Sequence, residues 1–283
     1  MAIPALPNDI RTVVTNALAE DVGSGDLTAA LLDARKGAVA HVVTREAATL
    51  CGRAWFDEVY RQLDTNVAVT WNAADGDRIA AGNVICTVRG PGHSIVTGER
   101  TALNFLQLLS GTATATRTLV DLLAGTSMRV LDTRKTLPGL RLAQKYAVLC
   151  GGGTNHRIGL FDAVLIKENH IAAVGGVTAA VHAARQRSPN VMIEVECETL
   201  AQLDEALATD ADRILLDDFS LTDMREAVRR RNALTGRRAE LEASGSVNAD
   251  TLRSIAATGV DFASVGALTK NVRAIDLSMR FAE

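Results

Sequence analysis

The chain has 283 residues, 47% of them apolar, and its 30 Lys+Arg against 33 Asp+Glu leave a net charge of −3. That length suits one large domain or two smaller ones, with apolar residues enough for a sizeable core. Near-neutral charge and 4% aromatics argue against a nucleic-acid binder, no apolar run reaches membrane-spanning length, and no basic stretch followed by an apolar one marks a secretory signal, so a cytoplasmic location is expected.

Residues 8–20 predict a first helix, with Ile10, Val13, Val14, Ala17 and Leu18 on one face and Asn8 or Asp9 as cap. The acidic, glycine-broken stretch 20–28 reads as a cap and turn. Residues 37–52 predict a strand with His41 on its face, and 53–63 a helix. Residues 67–72 and 83–90 then read as strands flanking the turn Ala74–Asp77, where Asp75-Gly76 is a hairpin signal. This segment resembles lipoyl or biotinyl carrier modules. Those need an attachment lysine at a hairpin tip, and no lysine lies between Lys36 and Lys135, so a carrier role is disfavoured.

Residues 97–110 predict a helix with Leu103, Leu106 and Leu109 in one stripe, and 112–124 a second. Arg100 falls in the first turn of the former, where a cation opposes the helix dipole. A ligand contact would explain it. Cys51, Cys86, Cys150 and Cys197 are scattered without any CxxC and read as free, buried thiols.

From residue 128 the texture changes. Six short apolar runs (128–133, 163–167, 191–196, 213–218, 239–244 and 262–267) alternate with helical stretches, among them 178–187, 199–208, 221–233 and 248–258. Repeated strand–helix units imply a parallel sheet with helices outside. The expected fold class is α/β: an N-terminal α/β sandwich-like domain plus an open, incomplete, six-stranded α/β barrel. The expected division is 1–111 and 112–270, with the tail 271–283 returning to the first domain.

In a barrel the C-terminal strand ends converge on one mouth. Here they carry Arg134-Lys135, Lys167, Glu196, Asp217, Ser244-Gly245-Ser246 and Gly266-Ala267. The basic stretch 131–170 adds Arg141, Lys145, His156 and Arg157 around Gly151-Gly152-Gly153. Forked arginines clamp carboxylates and phosphates, and lysines add point charges. Glu196 and Asp217 suit a hard cation such as Mg²⁺; a salt bridge to Lys167 or Arg157 is the alternative. The two small-residue turns suit phosphate, the first by leaving amides free ahead of a helix near Asn248. Leu137–Lys145 is a candidate closing loop. The run Ile214–Thr222 looks like the double-acid phosphoribosyl pyrophosphate loop of common phosphoribosyltransferases, but Asp223 stands where a phosphate cradle is needed, so this reads as a chance likeness.

The longer motifs are more specific. DTRKTLPGLR around Arg134-Lys135-Thr136, GGGTNHRIGLFDAVLIKENH, IEVE ending at Glu196, LLD ending at Asp217, EASG, SVGALTK, GDLT at 25–28 and GERTALNFLQLLSG at 98–111 resemble quinolinate phosphoribosyltransferase over essentially the whole chain. The resemblance implies Mg²⁺-dependent transfer from phosphoribosyl pyrophosphate to quinolinate, giving nicotinate mononucleotide, pyrophosphate and CO₂. It implies a homodimer in which Arg100 acts in trans. It implies that Arg134, His156 and Arg157 hold the quinolinate carboxylates, with Thr136 beside them. Lys135 and Lys167 would take the pyrophosphate end, and Glu196 and Asp217 the metal or ribose. Ser244, Gly245 and Ser246, with Ser264, Val265, Gly266 and Ala267, would cradle phosphates. Asp218 stands where asparagine is common in this family, and Leu137 where threonine is.

Overall fold

The computed structural model describes residues 4–33, 36–236 and 238–282. Residues 1–3 of the N-terminal stretch and Glu283 of the tail lie outside them. In chain order the elements begin with α1 (Ile10–Val22), β1 (Gly37–Thr44), β2 (Ala48–Thr49), α2 (Arg53–Leu63), β3 (Ala68–Trp71), β4 (Arg78–Ile79) and β5 (Val84–Pro91). There follow α3 (Gly92–Leu122), β6 (Arg129–Leu131), α4 (Arg141–Cys150), β7 (Ala163–Ile166), α5 (Glu168–Val174), α6 (Val177–Arg187) and β8 (Met192–Cys197). The last elements are α7 (Leu200–Leu207), β9 (Arg213–Asp217), α8 (Leu221–Ala233), β10 (Glu240–Ser244), α9 (Ala249–Ala256), β11 (Phe262–Ser264), α10 (Ala267–Lys270) and β12 (Leu277–Phe281).

Two compact units emerge. One takes the chain up to Arg117, then Thr136–Gly152, then the chain from Ala267 on; the other takes Thr118–Lys135 and Gly153–Gly266. The first is built on an antiparallel sheet ordered β12-β1-β5-β3, with a separate β2-β4 pair. Its core joins Trp55, Phe56, Val59 and Tyr60 of α2 to Leu103, Leu106 and Leu109 of α3, all buried. His41 sits on β1 against Thr87 of β5, its Nδ1 3.1 Å from Oγ1, a strand-face histidine as its position suggested.

Several local expectations need correction. Asp9 stands at the α1 N-cap position but makes no side-chain cap bond; the backbone N–H of Val13 donates to the Asp9 carbonyl instead. The strand expected over 37–52 breaks after Thr44, whose hydroxyl turns back to the Glu46 carbonyl. The two helices expected over 97–124 are one, running Gly92–Leu122. Gly111 does not break it. A Cβ there would sit 2.2 Å from the Arg273 carbonyl oxygen, so this glycine serves close backbone approach rather than a turn. The candidate closing loop is helical from Arg141 onward.

The second unit is a six-stranded parallel sheet ordered β6-β11-β10-β9-β8-β7. The six expected strands are present. β6 and β7 stand at opposite edges, so the sheet is not closed. Ile193, Val195, Ile214, Leu216, Leu241 and Ala243 alternate on one face and are buried. Helices α6 to α9 are those expected within a residue or two. Helix α5, seven residues directly after Lys167, was not anticipated; His170 Nδ1 accepts from the Lys167 amide and closes its first turn. All four cysteines are free and buried.

Candidate functional site

Parallel strands deliver every C-terminal end to the same edge of the sheet. In the second unit that edge carries Thr133, Arg134 and Lys135 after β6, Lys167 after β7, Glu196 near the end of β8, Asp217 at the end of β9, Ser244 at the end of β10, and Val265-Gly266 after β11. Asp217 lies in register with Ser244 and Glu196 with Leu215. Arg100, Thr136 and Ala267 belong to the other unit.

Four local constellations form at this edge. Lys167 Nζ lies 2.5 Å from Glu196 Oε2, so the lysine–carboxylate pairing held open as an alternative is present. The stem of Lys135 runs beside Gly266, where a Cβ would meet Lys135 Cδ at 3.2 Å and Thr133 Oγ1 at 3.5 Å. A side chain at 266 would crowd that path by a few tenths of an ångström, and Thr133, absent from the sequence reading, lines it. The Thr133 hydroxyl also accepts from the Lys135 amide at 3.0 Å.

The third is the turn after β10. Gly245 has φ +88° and Ser246 φ +50°. A Cβ at Gly245 would fall 1.9 Å from Asp218 Oδ1, so both conformation and space demand glycine. Asp218 is itself left-handed, with φ +52°, a state asparagine and aspartate tolerate best. The first free amides of α9 are not available as a cradle: Asn248 Oδ1 accepts from Asp250 and Thr251. The Val265 amide is also committed, to the Leu131 carbonyl. An anion at these turns would therefore meet chiefly the amides and hydroxyls of 244–246 and Gly266. After Asp217, Ser220 caps α8 and its hydroxyl exchanges bonds with Asp223.

The fourth constellation joins Arg134 and Arg157. Both are half-buried, and Arg134 Nε is buried with no hydrogen-bond partner among the described residues. Burial and then the Arg134 charge draw the Arg157 guanidinium below its ordinary pKa, while Glu194 opposes the shift. Two like charges held together in partial burial are unfavourable until an anion joins them. His156 adjoins this pair. Its backbone N–H donates to Asp132 Oδ1, and its Nδ1 accepts from the Arg157 amide at 2.7 Å. Its Nε2 lies 2.8 Å from Glu194 Oε2.

Glu194, Glu242 and Arg213 were missed by the sequence reading. Glu194 and Glu242 are wholly buried, one pleat before Glu196 and Ser244 on their strands. Arg213 contacts Glu242 Oε2 at 3.4 Å and Glu240 Oε2 at 2.9 Å. Burial and the nearby Glu194 push the Glu242 carboxyl up to about 8. The signal was available: charged residues inside otherwise apolar strand runs of a parallel sheet, on three adjacent strands, require one another.

In the first unit, α3 begins at Gly92, so Arg100 lies two turns inside it rather than in its first turn. The dipole objection to Arg100 does not apply. The Arg100 side chain is exposed and makes no hydrogen bond or ion pair among the described residues. It lines a cleft of about 420 Å³ with Asp21, Asp26, Thr28 and Thr97. Asp26 accepts from the Thr28 and Ala29 amides and the Thr97 hydroxyl, so the acidic stretch is a cap and turn. Thr136 Oγ1 accepts from Arg141 Nε at 3.1 Å.

Known proteins share this fold and these sequences. Family models described as the quinolinate phosphoribosyl transferase N-terminal and C-terminal domains match residues 26–110 and 112–280. A probable nicotinate-nucleotide pyrophosphorylase (carboxylating) of Bacillus subtilis is 40% identical over 271 residues, spanning 95% of this chain and 92% of its own. A nicotinate-nucleotide pyrophosphorylase (carboxylating) of Mycobacterium leprae is 41% identical over 275 residues, spanning 95% and 96%. The solved structure of the nicotinate-nucleotide pyrophosphorylase from Francisella tularensis superposes with a TM-score of 0.95 at 47% identity, covering 100% of this chain and 99% of that one.

Proposed function

This chain belongs to the quinolinate phosphoribosyltransferase family, and we propose on that premise how its residues divide the work. The reaction joins the phosphoribosyl group of phosphoribosyl pyrophosphate to quinolinate with decarboxylation, giving nicotinate mononucleotide, pyrophosphate and CO₂ for NAD biosynthesis.

The Arg134–Arg157 pair carries the assignment of the acceptor site. Quinolinate is a dianion, and two half-buried guanidiniums that repel one another gain most from such a ligand. Arg134 and Arg157 take its carboxylates, with His156 beside them. Lys135, threaded past Gly266, and Lys167 meet the pyrophosphate end. Charge developing on the departing pyrophosphate is stabilised by their fixed ammonium groups. The ring nitrogen attacks ribose C1 as that bond loosens. The bond to the carboxylate beside the now cationic nitrogen then breaks, CO₂ leaves, and the electron pair stays on the ring carbon as an ylide that the nitrogen stabilises and a proton from water quenches; the pair of arginines need only hold the carboxylate in position. No covalent nucleophile is required, and the buried cysteines take no part.

Glu196 and Asp217 fit a hard divalent cation. They offer oxygen donors from neighbouring strands, and the Asp217 carboxylate has no hydrogen bond or ion pair among the described residues. Lys167 occupies Glu196 Oε2 and leaves Oε1. Mg²⁺ held by these two would neutralise charge on the pyrophosphate oxygens. The enzyme works as a homodimer in the cytoplasm, with Arg100, exposed and unpaired, contributed in trans. No helix among the described residues is long and apolar enough to cross a membrane.

Calorimetric titration tests the acceptor assignment. Arg134→Ala and Arg157→Ala should each weaken quinolinate binding by about tenfold or more, roughly 1.4 kcal/mol, and leave phosphoribosyl pyrophosphate binding within about twofold. Unchanged quinolinate affinity in both folded variants would overturn it.

A further inference from the structure

The buried group around His156 lies outside the roles assigned so far. It comprises His156, Glu194 on β8, Glu242 on β10 and Arg213 on β9, with Asp132 on the His156 backbone. The ligand atoms of His156, Glu194 and Glu242 lie within 4.8 Å of one another, a spacing that would admit a metal ion. The histidine argues against one. Nδ1 accepts the Arg157 amide at 2.7 Å, so Nδ1 bears no proton, and a neutral ring must then carry its proton on Nε2. Nε2 therefore has no lone pair to give a metal. Nε2 faces the carboxylates at ion-pair range, with Glu194 Oε2 at 2.8 Å and Glu242 Oε2 at 3.7 Å, a close polar contact rather than an aligned hydrogen bond, since neither Glu194 oxygen has a hydrogen-bond partner among the described residues.

The same geometry commits both ring nitrogens inside the protein. His156 cannot also bind a substrate carboxylate through its ring without losing one of these contacts. What the ring does is fix its neighbour: the amide it accepts is that of Arg157. The loop is thus pinned at two successive amides, His156 to Asp132 and Arg157 to the ring. The ring rests in turn against a wholly buried carboxylate, Glu194, at 2.8 Å. Arg213 holds Glu242, which stands behind the pair. Such a buried charged group is a poor choice for stability alone, since apolar residues of similar volume do as well or better.

We propose that Glu194, backed by Glu242 and Arg213, is a positioning residue for the acceptor site: it holds the His156 ring so that the ring fixes the Arg157 backbone and aims its guanidinium. His156 then serves quinolinate through Arg157. The inference rests on the assignment of Arg157 to quinolinate.

Three variants and one spectrum test it in the full-length enzyme. Glu194→Gln keeps an oxygen acceptor for Nε2–H, whereas Glu194→Leu removes it. Glu194→Leu should raise KM for quinolinate about tenfold or more, with KM for phosphoribosyl pyrophosphate within about twofold. Glu194→Gln should stay within about threefold of wild type for both. Equal effects on the two substrates, or equal effects of the two variants, would overturn the inference. Arg157→Ala is the control. If it leaves KM for quinolinate unchanged, the acceptor assignment itself fails; if it raises it and Glu194→Leu does not, only the positioning role fails. Should Glu194→Leu not fold, nitrogen NMR of wild-type enzyme decides: His156 should show a protonated Nε2 and a bare Nδ1, and a proton on Nδ1 would contradict the clamp.

Discussion

One pleat of β8 separates two different carboxylates. Glu196 sits at the strand end, paired with a Lys167 side chain that is 44% exposed. Glu194, two residues earlier on the same face, is wholly buried against His156. β10 repeats the contrast, with buried Glu242 one pleat before half-buried Ser244. The outer residues are less enclosed, Glu196 keeping 8% exposure against 0% for Glu194, and they can exchange partners with a ligand through exposed neighbours such as Lys167. The inner ones cannot, because a buried charge without its partner is costly. Depth along the strand therefore divides residues that meet substrate from residues that hold the frame.

The largest expected effect strikes the inner group. Arg213→Met removes a buried guanidinium that contacts Glu240 and Glu242 and should cost on the order of 1–3 kcal/mol in urea unfolding, whereas Lys167→Met, at a side chain that is 44% exposed, should cost less than about 1 kcal/mol. Similar losses in both would break the comparison. At the outer edge, Lys135→Ala should lower kcat by about a hundredfold or more with thermal unfolding unchanged. Near-wild-type turnover in that variant would remove Lys135 from the chemistry.

The pH dependence sharpens the contrast. The Glu242 carboxyl, raised from 4.5 to about 8 by burial, by Glu194 and against the opposing pull of His156, Ser264 and Arg213, keeps its proton in the folded chain while the unfolded chain loses it. Its contribution to stability is therefore full below about pH 4.5 and declines as pH rises toward 8, by up to about 1.4 kcal/mol per pH unit. Elsewhere Glu226 is lowered to about 2 by Arg229 and Arg230 and acts in the opposite direction. The informative quantity is thus the wild-type curve minus that of Glu242→Gln, which should fall between about pH 5 and 8. A flat difference would refute the protonated inner carboxyl. The smallest effect belongs to the helix behind the phosphate turn: Asn248→Ala, which loses its bonds to two amides, should cost about 1 kcal/mol by denaturant titration.

The outer edge was legible in sequence because it follows a rule of position: charged or small residues immediately after apolar runs. Lys135, Lys167, Glu196, Asp217 and Gly245 were found that way. The inner group left only a weaker trace, charged residues within buried strands, because IEVE and ELEAS also read as ordinary strand alternation and the partners His156, Glu194, Arg213 and Glu242 are far apart in the chain. Only the fold brings them together. Gly111 misled for the reverse reason: its cause lies across space at Arg273, while local rules made it a helix boundary. Arg100 was misplaced for a separate reason: the helix was expected from residue 97, whereas it starts at Gly92. The six strands survived because alternation of apolar runs with helices is a local signal repeated many times over.

The central claim is that the outer edge holds a dicarboxylate acceptor against phosphoribosyl pyrophosphate. The direct measurement is turnover of purified enzyme with Mg²⁺ and phosphoribosyl pyrophosphate, offered quinolinate or nicotinate in parallel, following nicotinate mononucleotide and CO₂. Turnover with quinolinate, CO₂ released in equal amount and little or no product from nicotinate, is the predicted result. Equal turnover of nicotinate would contradict it, because a site organised by Arg134 and Arg157 would then not require the second carboxylate.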